Sequence, residues 1–260
     1  MASVFARGDT DWKRTWTGRF WLAFRLKRHH LMSVVKPSLS RPFLVRHFAR
    51  ILIGCAILLG LRILLGILFE YRWYFPPNFT ESFFLAGHTT DFAGLWKLGF
   101  YVHILASPIV LLLAVFLQWK RSRRNLSLHR FLGRVQMLLI FLLLVPSGLV
   151  LSMKATAGPV SQIGFLALSV ATGLTAAMAL CRARQKKVKQ HRVWATRLFL
   201  LLLSPLFLRV CSGFAIVAQM DSPTFYQINA WTSWIVPWLS FEAWRASKQD
   251  AAMKQQISRA

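Results

Sequence analysis

Acidic side chains are scarce in this chain: Asp and Glu together number 8 among 260 residues, against 33 Lys and Arg. None of the eight lies in the middle of an apolar run, which removes the basis for paired-carboxylate catalysis and for an intramembrane carboxylate proton relay. Cysteine is nearly as rare. Cys55, Cys181 and Cys211 all sit inside apolar runs, so neither a disulfide framework nor a zinc cluster can be read from them. Phosphate-loop, H-E-x-x-H, C-x-x-C-H and Gly-x-Ser-x-Gly motifs are missing, and with them nucleotide, zinc-peptidase, covalent-haem and nucleophile-elbow signatures. Charged residues make up 16% of the chain, where soluble proteins carry roughly 25%.

What the chain has in abundance is hydrophobic residues, at 55%, and they are gathered into long runs. Six segments, at about 51–69, 95–118, 131–153, 160–181, 193–218 and 225–241, approach or reach the ~20 residues that cross a bilayer. Arg62 interrupts the first. The sixth is short and contains Pro237, which leaves a tilted, re-entrant or interfacial course open for it. About fifty residues precede the first run, too many for the leader of a secretory signal, so this run is expected to remain as an anchor. The fold class implied is all-α: a polytopic transmembrane bundle over 51–242, a basic arm over 1–50 and a basic tail over 243–260.

The formal charge of +25 is unevenly spread. The arm, the loops around Lys120–Arg134 and Arg182–Arg197, and the tail hold 28 of the 33 basic residues. The positive-inside rule puts these segments, and both termini, on the cytoplasmic side of a multi-pass protein of a bacterial inner membrane. The same charge favours the anionic lipids of the inner leaflet as partners, and no segment reads as a nucleic-acid-binding module. Trp12, Trp16, Phe20 and Phe24 recur every fourth residue in the arm, the spacing of a helix resting on the membrane surface.

Within the bundle, Ser169, Gly173, Ala177 and Cys181 form a four-residue row of small side chains that lets a neighbouring helix approach. Pro146-Ser147-Gly148 and Ser204-Pro205 are expected to kink the third and fifth spans. Trp231, Trp234, Trp238 and Phe241 line one face of the sixth, as an aromatic belt or as a wall for a flat ligand. His29, His30, His47 and His88 fall in the arm or the outer loop and read as solvated.

Ionisable residues inside spans fall at two depths. Arg62, His103 and Arg209, from three different spans, reach a level about 11–12 Å from the outer end at 1.5 Å per residue. They form either an anion-receptive site or two snorkelling arginines beside a hydrogen-bonded imidazole. Nearer the cytoplasm, His129, Arg130 and Arg134 start the third span and His191, Trp194 and Arg197 start the fifth. Gly133 stands one turn above His129 and opens a notch there. Two neutral imidazoles at one depth suit a b-type haem, with His129 and His191 as iron ligands and Arg130, Arg134 and Arg197 for its propionates. The alternative is an interfacial collar of basic residues and Trp.

The string Leu128-His129-Arg130-x-x-Gly133-Arg134, with His103 before it and His191-x-x-Trp194-x-x-Arg197 after it, resembles a bacterial and fungal family of predicted membrane proteins of unknown function. The resemblance runs over about 95–208 and leaves out the arm and the last span. Ala195 and Leu198 stand where members often carry Met and Ser. More remotely, the arrangement is similar to membrane cytochromes b, which implies a helical bundle holding haem between spans, here one haem at most. The function expected is a redox-type bundle binding one b-type haem or a quinone-like lipid near the cytoplasmic leaflet. A small-molecule or anion transporter and a non-catalytic scaffold are the competing readings.

Overall fold

The structure is a computed structural model, and it describes residues 41–258. The chain divides into two compact units, 1–58 and 59–260. The described part of the first is the opening of one long helix, α1 (Arg41–Glu70). The aromatic stripe of the arm, with His29 and His30, lies outside the described residues. The second unit contains α2 (Phe83–Ala86), α3 (Gly94–Gln118), α4 (Leu126–Leu139), α5 (Val145–Ser152), α6 (Pro159–Arg184), α7 (Val188–Leu202), α8 (Ser204–Val217) and α9 (Pro223–Ile257). No β-strand occurs among the described residues. The protein is therefore all-helical, as the hydrophobic runs imply.

Among the described residues, five stretches are long and apolar enough to cross a membrane: Arg50–Trp73, Gly94–Gln118, Leu126–Ser152, Pro159–Arg184 and Val188–Val217. The sixth segment is different. It opens α9, which continues without a break through the tail as a 35-residue helix, about 52 Å long at 1.5 Å per residue. The basic tail is thus helical at least to Ile257.

Spans two to five close into a ring. α3 packs on α4, α5 and α7, while α6 packs on α5 and α7, and α9 lies across α6, α7 and α8. α6 is central, as its small residues suggest, although only part of the expected row serves this purpose. Ser169 and Gly173 face α5, whereas Ala177 and Cys181 are exposed. α3 and α5 touch most closely at Gly99, where a Cβ would stand 2.9 Å from Val150 Cγ1.

The tryptophans of α9 correct the reading of a lipid-facing belt. Trp231 lies over Gly164 and donates its indole N–H to the Val160 carbonyl at 3.1 Å. Trp234 is buried, and the three rings follow one another at centroid distances of 6.0 and 6.3 Å. They pack into the bundle because α6 offers a glycine opposite them.

Three of the four ring spans are irregular, each at a proline. Pro108 lies inside α3 and cannot donate to the Ile104 carbonyl. In the third span a π-turn, Ile140–Leu144, precedes Pro146, with Val145 N–H donating to Ile140. In the fifth, Leu203 leaves the helix just before Pro205, separating α7 from α8. The carbonyl freed at Ile104 accepts a hydrogen bond from the Tyr71 hydroxyl. In a medium without water this satisfies a group that would otherwise be orphaned.

The segment 71–93 is a folded cap, not a bare loop. Tyr74, Leu85, Trp96 and Phe100 form its buried core. His88, read as solvated from its position, is only 3% exposed. Its ring stacks between Phe84 and Trp96, with Nδ1 2.9 Å from the Phe84 carbonyl and Nε2 3.2 Å from the Lys154 carbonyl. Burial, with Glu70 nearby, pushes the Tyr74 hydroxyl up to about 12, so it stays protonated throughout the physiological range. Tyr71→Phe removes the donor that replaces the lost Pro108 bond, and should lower stability in detergent by about 1–3 kcal/mol. Thermal unfolding of the two proteins side by side measures this, and equal midpoints would show that the Ile104 carbonyl does not depend on Tyr71.

Candidate functional site

At the level of the three prolines the ring encloses a cavity of about 120 Å³. All four ring spans contribute to it: Ser107 and Pro108 from α3, Leu144 and Val145 from the third span, Ser169 and Thr172 from α6, and Ser204 and Pro205 from α8. Leu64 and Ile67, on the Leu59–Glu70 part of α1, complete the wall. The helix irregularities create this space, because each one turns a carbonyl or a side chain out of regular packing.

His103 is the ionisable residue in the lining. Its Nδ1 is 3.1 Å from Ser147 Oγ, and the Leu144 carbonyl stands beside the ring. The Ser147 hydroxyl donates to the Leu143 carbonyl at 2.5 Å, so its oxygen accepts, and the network assigns the ring proton to Nδ1. Nε2 then carries a lone pair and has no protein partner among the described residues. Gly148 makes room for this arrangement: a Cβ there would lie 2.8 Å from Ser169 Oγ and 3.6 Å from His103 Cε1. Ser107, Ser169 and Ser204 also line the cavity without hydrogen-bond partners among the described residues. One imidazole acceptor and three unpartnered hydroxyls thus belong to a lining whose other members are mostly aliphatic.

The two arginines expected beside His103 do not line this space. Arg62 is exposed on α1. Arg209 is exposed on α8, one turn outward of Pro205, within electrostatic reach of Glu70, Tyr71, Tyr74 and Tyr226. Arg209 is nonetheless within electrostatic reach of His103, so residues at one depth share a neighbourhood here without sharing a lining, because depth fixes height along a helix axis and leaves azimuth open.

At the end of the bundle that carries the basic loops the predicted residues separate into two groups. His129 and His191 lie close enough to interact electrostatically, although α4 and α7 are not close-packed neighbours and α3 contacts both. His191 Nδ1 donates to the Ala179 carbonyl at 2.9 Å. His129 Nδ1 is buried without a partner among the described residues. Nothing stands within 4 Å of the missing Cβ of Gly133. The arginines go elsewhere. Arg130 folds back to the Leu126 carbonyl at 3.2 Å, and Arg134 is exposed.

Arg197 grips Glu242 of α9 with two hydrogen bonds, Nε–Oε1 2.6 Å and Nη2–Oε2 2.9 Å, and stacks on Trp194 at 4.2 Å. Arg245 adds a third bond to the same carboxylate at 2.8 Å. Sequence reasoning missed Glu242 as a partner. The available signal was a lone acid at the inner end of the last segment, opposite a strong basic excess. The hydrogen bonds from Arg197, against a smaller opposing effect of burial, hold the Glu242 carboxyl below its ordinary 4.5.

A ring of kinked hydrophobic helices around a cavity defines a multi-pass helical membrane protein. The chain belongs to the family described as Predicted membrane protein (DUF2306), whose model matches residues 100–243. The match extends past the resemblance read from the motifs and takes in the aromatic part of α9. No curated protein and no solved structure matches the chain.

A carboxylate whose folded-state value is depressed adds stability above its ordinary value, and that stability is lost as pH falls through the folded value. Glu242→Gln should therefore cost about 1 kcal/mol near neutral pH, the partial exposure of the pair keeping the figure modest. The difference from the unmodified protein should shrink progressively below pH 4.5. Thermal unfolding in detergent across pH 3–8 (about five steps) reads both effects.

Proposed function

We propose that this protein binds the ring of a quinone-like, hydroxyl-bearing lipid in the His103 cavity, as the ligand-holding part of a redox-type bundle. One observation carries the reading: His103 lines the cavity with no partner for its Nε2 among the described residues, and the hydroxyls of the lining Ser107, Ser169 and Ser204 have none there either. A cavity of about 120 Å³ suits a single six-membered ring, given that about 150 Å³ of apolar cavity admits benzene. A hydroxyl on that ring donates to Nε2, and a second ring oxygen accepts from serine. The lining has no guanidinium or carboxylate, which favours a neutral guest over an anion. The pocket lies beside residues 103–111 of α3, away from the end of the bundle that carries His129 and His191.

Binding of a short-chain hydroquinone to the protein in nanodiscs, followed by quenching of tryptophan fluorescence, tests the reading. His103→Gln should weaken binding about tenfold or more, the loss expected when a buried hydrogen bond goes unmade. An unchanged affinity in this variant, or no saturable binding to the unmodified protein, would sink it.

A second reading rests on a separate observation, the buried and unpartnered Nδ1 of His129. With the Nδ1–H of His191 committed to a backbone carbonyl, its Nε2 is arranged as in metal-bound imidazoles. One b-type haem between His129 and His191 fits these two features and the space at Gly133. It fits the arginines less well, since Arg197 is engaged by Glu242 and Arg130 by backbone, leaving Arg134 for a propionate. A haem bound there would supply one-electron chemistry. A reduced-minus-oxidised spectrum of the purified protein after haem supplementation should show Soret and alpha bands that disappear in His191→Ala. Featureless spectra would end this second reading and leave the first intact.

A further inference from the structure

The cavity has closed ends and an open side. Outward of it stands the aromatic cap, with Tyr74, Trp96 and Phe100 buried and the Tyr71 hydroxyl bound to Ile104. Inward of it the ring is filled by an aliphatic core containing Val110, Ala114, Ile140 and Leu198. Laterally the wall is thin. Pro205 lines the cavity and is at the same time exposed on the outer surface of the bundle. Beside it, Leu64 and Ile67 form the rest of that wall, on a part of α1 that belongs to none of the close-packed helix pairs. At the crossing, Gly60 offers no side chain, and the nearest atom to its missing Cβ is Leu206 Cδ1 at 3.9 Å.

From this geometry we infer that the ligand is a ring-and-tail lipid. Its ring occupies the His103 cavity, and its hydrocarbon tail leaves sideways into the bilayer between the Leu59–Glu70 part of α1 and the start of α8. The inference rests on the reading of the cavity as a ring site and adds the second half of the molecule. A volume of about 120 Å³ has no space for a tail behind the ring. The neighbouring surfaces at Leu64, Ile67 and Leu206 are aliphatic, as a chain of CH₂ or isoprene units requires. Arg209, exposed one turn outward of Pro205, sets a positive charge near this opening and disfavours cationic amphiphiles. Access from the lipid phase also fits the sealed ends, since a ring entering from water would have to cross either the cap or the core.

Two hydroquinones with the same ring, one bare and one carrying a two-isoprene tail, distinguish the possibilities in nanodiscs, with partition into empty nanodiscs subtracted. The unmodified protein should bind the tailed compound about tenfold or more tightly than the bare ring. Gly60→Leu and Gly60→Phe, which fill the crossing outside the cavity, should remove that preference and leave bare-ring affinity within about twofold. A photoreactive diazirine at the end of the tail should label α1 between residues 59 and 70 and the first turns of α8. Equal affinities for both compounds, or label on α4 or the basic inner loops, would overturn the inference while bare-ring binding still upholds the ring site. If neither compound binds, the ring site and the tail path fall together.

Discussion

An imidazole held in the hydrocarbon region must have every polar atom accounted for, and His103 meets that demand on one side only. Ser147 takes its Nδ1, and the π-turn just before Pro146 reorients the carbonyls of the third span beside it. Nε2 is left for something else. The cavity, the three serines around it and the exposed edge at Pro205 all gain their meaning from that unmatched lone pair.

The prolines that open the cavity also determine how the rest of the molecule is tied together. Pro108 deprives Ile104 of its helical donor, and Tyr71 supplies another from the end of α1. The aromatic cap thus begins where a helix defect ends. Its stacked core around His88 closes the outer end of the bundle, while Arg197, Glu242 and Arg245 lock α7 to α9 at the inner end. Both ends are rigidly satisfied by charged or aromatic groups. The middle, where three helices break step, is the part left open.

Several features were legible because they are periodic or compositional. Of the six apolar runs, five mark membrane-length helices among the described residues while the sixth opens α9, and the Pro-Ser-Gly and Ser-Pro strings marked the breaks in the third and fifth spans. Features that depend on azimuth or on partners distant in sequence were not legible. Arg62 and Arg209 share a depth with His103 and yet do not line its cavity, although Arg209 stays within electrostatic reach of the ring. His88 reads as a loop residue and is buried by aromatic neighbours on both faces. Trp231, Trp234 and Trp238 have belt spacing, but Gly164 draws them inward.

The sequence by itself determined the solvent of this protein. Runs of about 20 apolar residues have no stable home in water. It also placed His103, His129 and His191 at their depths, since rise per residue is fixed. Only the tertiary structure decided which imidazole meets a cavity, which arginine is taken by Glu242 and which tryptophans face inward. The rotation of each helix about its own axis follows from packing against its neighbours, where a single glycine or a freed carbonyl outweighs any local preference.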